Sequence, residues 1–203
     1  MLSDDSRRSL LAIARQSIRH GIKFGYPLQI NLNNYPAELK VLRATFVTLE
    51  IQHQLRGCIG LLEAVRPLVI DIAENSWAAA FADPRFSALN NDELNKIVIH
   101  LSILAPSERI HFNSEQDLVD QITPGVDGLI LEEGEYRGTF LPAVWESLPK
   151  TTEFLKHLKL KAGLPSNYWS ENIKISRYTT ESFSEITAIK IDQQMSDRVQ
   201  TGD

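Results

Sequence analysis

The sequence predicts an α+β fold, mostly antiparallel sheet flanked by helices. Two pairs of stretches rich in β-branched and aromatic residues, 44–51 with 55–62 and 128–132 with 136–141, are each separated by a few polar residues, as hairpin strands are. Segments with apolar residues at helical spacing surround both pairs. The regular strand–helix–strand alternation of a parallel sheet is missing. With 203 residues the chain suits one large domain or two small lobes sharing a core. Residues 1–190 are assigned to that domain, and 191–203, mostly polar, to a frayed tail.

The elements follow in order. Residues 3–22 form a helix, capped by Ser3 or Asp4, with Leu10, Leu11, Ala14, Ile18 and Ile22 on one stripe and Gly21 and Gly25 as the break. Residues 26–43, holding Pro27, Pro36 and several Asn, read as a long irregular connection. The first hairpin turns at Gln52-His53-Gln54. Pro67 opens a second helix at the position where its missing N–H costs nothing, and that helix ends by Asp83, before Pro84. Residues 92–96 make one helical turn. The run 97–104 is a strand buried on both faces apart from His100 and Ser102, and 115–122 is a short amphipathic helix. The second hairpin turns at Glu133-Gly134-Glu135. Pro142 starts a short helix, and Thr151 or Thr152 caps another that Gly163 and Pro165 end. Strands are expected at 172–178 and 186–191.

Composition narrows the function. Hydrophobic residues at 43% and charged residues at 23% describe a globular protein with a sizeable core. A net charge of -5 argues against a surface given over to nucleic acid, since phosphate binding rests on Lys and Arg. No apolar run reaches the roughly 20 residues of a membrane-spanning helix, and the first residues lack a signal-peptide core. The single cysteine, Cys58, forbids an internal disulfide or an intrachain cysteine cage for zinc, which makes the cytoplasm the expected compartment. Histidine spacing offers no metal motif, and no Walker or dinucleotide-binding glycine pattern occurs. No metal is expected, and the sequence names no cofactor and no oligomeric state.

The second strands of the two hairpins echo each other: Leu55-Arg56-Gly57-Cys58-Ile59 and Tyr136-Arg137-Gly138-Thr139-Phe140. Strand alternation places Arg56 with Cys58 and Gly60 on one face, and Leu55, Gly57 and Ile59 on the other. By the same rule Arg137 lies with Thr139. Two such faces lining one cleft would make a site.

The run Leu55-Arg56-Gly57-Cys58-Ile59-Gly60 resembles the signature of the AMMECR domain family. Residues 44–49 precede it as that pattern requires, and Asp83-Pro84-Arg85-Phe86 follows. Later come Gly125-Val126-Asp127-Gly128-Leu129, Arg137-Gly138-Thr139-Phe140-Leu141-Pro142 and Lys161-Ala162-Gly163-Leu164-Pro165, so the resemblance spans about 5–185 in order. It implies two α+β lobes with a cleft between them and the signature cysteine near that cleft. Prokaryotic members belong to the AmmeMemoRadiSam system, which implies a Memo-like protein and a radical S-adenosylmethionine (SAM) protein as pathway partners. The family carries no established reaction. This chain departs from the pattern at Gln52-His53-Gln54, where relatives commonly carry Asn-Gly.

The chemistry available centres on Cys58, as nucleophile or redox thiol. A nearby cation favours a thiolate, and Arg56 is the sequence's candidate for it. Gly57 and Gly60 leave backbone open to a ligand. The plainer alternative is a small buried sheet residue, a common place for a free cysteine. His100 is a base for it if their strands pair; otherwise it is a core histidine. Asp83, Arg85 and Asp127 stand on loops, as ligand contacts or as a turn aspartate and a loop-pinning ion pair. Arg56 and Arg137 are candidates to clamp an anion, with Thr139 orienting it. Lys156, Lys159 and Lys161 are read as complementing a helix dipole. Two functions remain: a protein binding a polar or anionic small molecule beside Cys58, with or without chemistry, and a non-catalytic adaptor for another protein.

Overall fold

The computed structural model describes residues 1–185, which form two compact units. The first holds 1–103 and 181–185, and the second holds 104–180. The expected strand at 186–191 and the tail at 191–203 lie outside the described residues.

The first unit opens with α1 (Asp4–Phe24). Ser3 caps it by accepting from Ser6 N, and Gly25, at φ +83°, ends it. Gly21 lies within the helix and does not break it. A Cβ there would sit 2.3 Å from the Phe81 ring and 2.6 Å from Trp77, so the glycine marks where a second helix crosses. The connection at 26–43 holds two short 3₁₀ turns, Leu32–Asn34 and Ala37–Leu39. Next come β1 (Thr45–Ile51), β2 (Gln54–Gly60), α2 (Leu68–Phe81), the single turn α3 (Asn91–Leu94) and β3 (Val98–Leu104). Asn90 and Glu93 close a capping box on α3. After the second unit the chain returns as β8 (Thr180–Ser184), and the sheet runs in the order β2-β1-β3-β8. Val47, Leu49, Ile99 and Leu101 join Leu10, Ile18, Val69 and Ile72 in one core, so α1 and α2 cover one face of the sheet. The residues between them along the strands, including Thr48, Glu50, Val98 and His100, are half-buried. The strand 97–104 is therefore sealed on one face and not on both.

A fully buried carboxylate helps to hold α2 to β1. Asp71 accepts from Arg66 at 2.7 Å and from Thr45 Oγ1 at 2.6 Å, while Asn75 reaches both Thr45 and Asp71. Every bond in this cluster joins groups that would be costly to bury alone.

The second unit contains β4 (Glu108–Ile110), α4 (Glu115–Gln121), β5 (Gly128–Glu133), β6 (Tyr136–Phe140), a 3₁₀ turn at Pro142–Glu146, α5 (Thr151–Lys161) and β7 (Lys174–Tyr178). Its sheet order is β4-β7-β5-β6, all antiparallel. Leu129, Leu131 and Ile175 pack on Phe154, Leu155 and Leu158, with Trp145 stacked on Phe154 at 3.8 Å. Neither Thr151 nor Thr152 caps α5; its N-cap is Lys150, without a side-chain bond. The strands β4 and β8 were not foreseen, being short segments without strong alternation.

The two units share a plan: a hairpin, a helix, and a strand returning beside the hairpin's first member. In each, the glycine of the Arg-Gly echo meets the helix that follows. A Cβ on Gly57 would lie 2.1 Å from the Ala79 carbonyl oxygen in α2, and one on Gly138 about 3.0 Å from Ala162 just past α5. The repeated Arg-Gly thus records close helix–strand packing.

Candidate functional site

Cys58 lies on β2, an edge strand. It pairs with Thr48 on β1, and Thr48 pairs with His100 on β3, so the three side chains form a row on the sheet face turned away from α1 and α2. Thr48 Oγ1 donates to Cys58 Sγ at 3.3 Å, and the thiol is half-buried. Because β1 separates them, Cys58 and His100 are two strand spacings apart, about 10 Å between backbones. Direct pairing of their strands, the condition for His100 as base, is not met. His100 Nε2 is instead 3.3 Å from Glu50 Oε2, off the hydrogen-bonding direction, and is left without a hydrogen-bond partner.

The register between β1 and β2 slips by one residue at Arg56: Glu50 faces Leu55 while Leu49 faces Gly57. One inserted residue reverses alternation. Leu55 therefore shares Cys58's face, and Leu55 and Gly57 do not lie together as simple alternation had them. Arg56 is drawn elsewhere. Its guanidinium makes a two-point pair with Glu93, at 2.7 and 3.0 Å, and donates to the Ser87 carbonyl. Only 13% of the side chain is exposed. Glu93's carboxyl is held below its usual range chiefly by that bond.

The group that reaches Cys58 comes from the loop after α2. Asp83 Oδ2 accepts the Cys58 N–H at 2.9 Å, and Arg85 Nη2 donates to the Cys58 carbonyl at 3.1 Å. Both backbone groups that Cys58 presents to the empty edge are thus satisfied by side chains, as a neighbouring strand would satisfy them. Asp83 is buried and also accepts from Arg85 N, Nε and Nη2. Those bonds, the Arg85 side chain first and the Cys58 N–H next, hold its carboxyl far below the ordinary range against the opposing pull of burial. Arg85's own pKa is raised, chiefly by Asp83, with the Cys58 thiol a lesser contributor. Phe86 lies between the two arginines, its ring centroid 5.5 Å from Arg85 and 5.9 Å from Arg56.

The structure therefore brings Arg56, Gly57, Cys58, Asp83 and Arg85 together in the first unit. Gly57 is buried on α2, and a Cβ on Gly60 would lie 2.3 Å from the Thr45 carbonyl oxygen, so both glycines serve backbone approach within the protein. Asp127, Arg137 and Thr139 belong to the second unit. Asp127 is a buried turn residue accepting from Thr123 N. Arg137 is exposed and 3.5 Å from Glu132. Thr139 donates to Leu129 O and bonds the Tyr178 hydroxyl, whose pKa burial pushes up to about 12. Lys159 and Lys161 stand in the last turn of α5, and Lys159 has a further role: its side chain is buried, bonds Glu115 at 2.6 Å and lies near the Trp169 ring. Sequence reasoning missed Thr48, Glu50 and Glu93; pairing the hairpin in register would have exposed the first two. Among the described residues, no cluster of three His, Cys, Asp or Glu is placed to hold a metal, and no helix is long and apolar enough to cross a membrane.

A sequence profile of the AMMECR1 family matches residues 11–183. Protein MJ0810 of Methanocaldococcus jannaschii is 39% identical over 166 residues, 78% of this chain and 81% of its own. A protein of Methanothermobacter thermautotrophicus is 36% identical over 190 residues, 91% and 96% of the two chains. The crystal structure of the uncharacterised protein PH0010 from Pyrococcus horikoshii superposes with a TM-score of 0.81 at 34% identity, covering 87% of this chain and 90% of that one.

Proposed function

Because this chain belongs to the AMMECR1 family, whose signature cysteine is the residue fixed here at a sheet edge, we propose that it binds a small polar or anionic molecule beside Cys58. The observation that carries the reading is the double hold on Cys58: Asp83 and Arg85 take its backbone N–H and carbonyl, leaving a half-buried thiol beside Thr48. A packing residue needs no ion pair to place it, whereas a ligand-contacting thiol gains from a fixed position. In the prokaryotic setting this binding serves a pathway shared with a Memo-like and a radical SAM protein.

A second reading, an adaptor for another protein, draws on four exposed apolar side chains. Val41 and Leu42 lie on one segment and Leu61 and Val65 on another, and the two segments are joined by the Leu42–Pro67 bridge and the Arg43–Arg66 backbone bond. Iodoacetamide separates the readings. Ligand binding at Cys58 predicts carbamidomethylation of the folded protein, absent in Cys58→Ser, that an ultrafiltered small-molecule cell extract slows. A thiol that reacts only after denaturation would end the ligand reading and leave the adaptor.

A further inference from the structure

Which cation serves the Cys58 site follows from how each arginine nearby is occupied. Arg56, two residues away in sequence, is largely buried and bound two-point to Glu93. Arg85 differs: 54% of its side chain is exposed. Asp83, itself buried, fixes the edge formed by Nε and Nη2, and Nη2 also touches the Cys58 carbonyl. Nη1 makes no hydrogen bond among the described residues, and Phe86 lies against the guanidinium. A guanidinium locked along one edge presents its remaining donors in a fixed direction, the arrangement that recognises a carboxylate or phosphate.

We propose that Arg85, oriented by Asp83, is the anion-recognising residue of the Cys58 site, so that the bound molecule carries a carboxylate or phosphate next to the group that faces the thiol. The proposal rests on the ligand reading of Cys58 and adds its specificity. Asp83 is then a positioning residue, and Arg56–Glu93 is scaffold.

The test compares two alkylating reagents of similar size, one with a carboxylate and one with a neutral amide beside the reacting carbon. Iodoacetate and iodoacetamide both lose iodide as the Cys58 sulfur forms a bond to their carbon, but only iodoacetate offers a carboxylate. The ratio of their rates in the folded protein should fall about five-fold in Arg85→Gln, the effect of one unit charge near 4 Å in water. Arg85→Lys should restore most of it. General loosening of the edge would speed both reagents and leave the ratio in place. Salt should lower the ratio in the wild type, a readout that stands even where Arg85→Gln fails to fold. Inorganic phosphate should slow iodoacetamide in the wild type and not in Arg85→Gln. A ratio that neither the substitution nor salt moves overturns this proposal while leaving the ligand reading intact; a thiol inert to both reagents in the folded state overturns the two together.

Discussion

At the residue scale, Asp83 is where one side chain links stability to the site. Its carboxylate is buried and receives four hydrogen bonds, three from Arg85 and one from Cys58. These hold its pKa far below the unfolded value of about 3.9. The sign follows: a depressed folded pKa stabilises the protein above the unfolded value, and that stability is lost as pH falls toward the folded one. Glu93, lowered by Arg56, acts in the same direction. The stability gap between wild type and Asp83→Asn, from urea midpoints, should be constant between neutrality and about pH 5, then narrow below about pH 4. A gap that stays constant into the acid range would mean that the ion pair is not formed in solution.

At the element scale, the first hairpin shows how much was legible and where reading stopped. Both strands and their pairing follow from composition, but the turn is tighter than expected, with Gln52 and His53 alone at its centre. Both residues have positive φ, +52° and +62°, the left-handed region that a two-residue turn of this kind demands and that Asn-Gly adopts at least cost. Gln52→Asn with His53→Gly should therefore stabilise the protein by about 1 kcal/mol, read as a rise in thermal midpoint with thiol reactivity unchanged. A fall in the midpoint would show that the Gln52 or His53 side chain contributes more than the backbone strain costs. The bulge at Arg56 was out of reach, because the reversal of alternation it causes falls inside Leu55-Arg56-Gly57, too short a stretch to show it. Arg85 was named as a loop candidate, yet its place at Cys58 depends on a loop returning to a strand edge 27 residues earlier. Fold class and signature were readable because they are local patterns. The partners of the signature were not, because those contacts are long-range.

At the scale of the whole molecule, the first unit is completed only when the chain comes back. Its sheet lacks β8 until the second unit has been made, and the returning segment is bound to α1 by two carboxylates. Glu181 accepts from Arg7 Nη2 at 2.8 Å and from Leu2 N. Glu185 accepts from Arg15 at 2.5 and 2.6 Å and from Ile99 N, while the same guanidinium holds the Leu94 and Ile97 carbonyls. Arg15 thus ties three separate stretches of chain, α1, the approach to β3, and the return, at a place where only about a quarter of its side chain is exposed. Partial burial sets the magnitude between an exposed pair, worth little, and a fully buried one, whose breakage costs about 3–5 kcal/mol. Arg15→Ala should therefore destabilise the protein by about 2 kcal/mol in urea unfolding, and Glu185→Ala by a similar amount. Because the two side chains act on each other, the double variant should cost less than the sum of the singles, leaving about 1 kcal/mol of coupling. Strict additivity would mean that Arg15 works only through the two carbonyls, and that its pair with Glu185 contributes nothing to securing the return of the chain.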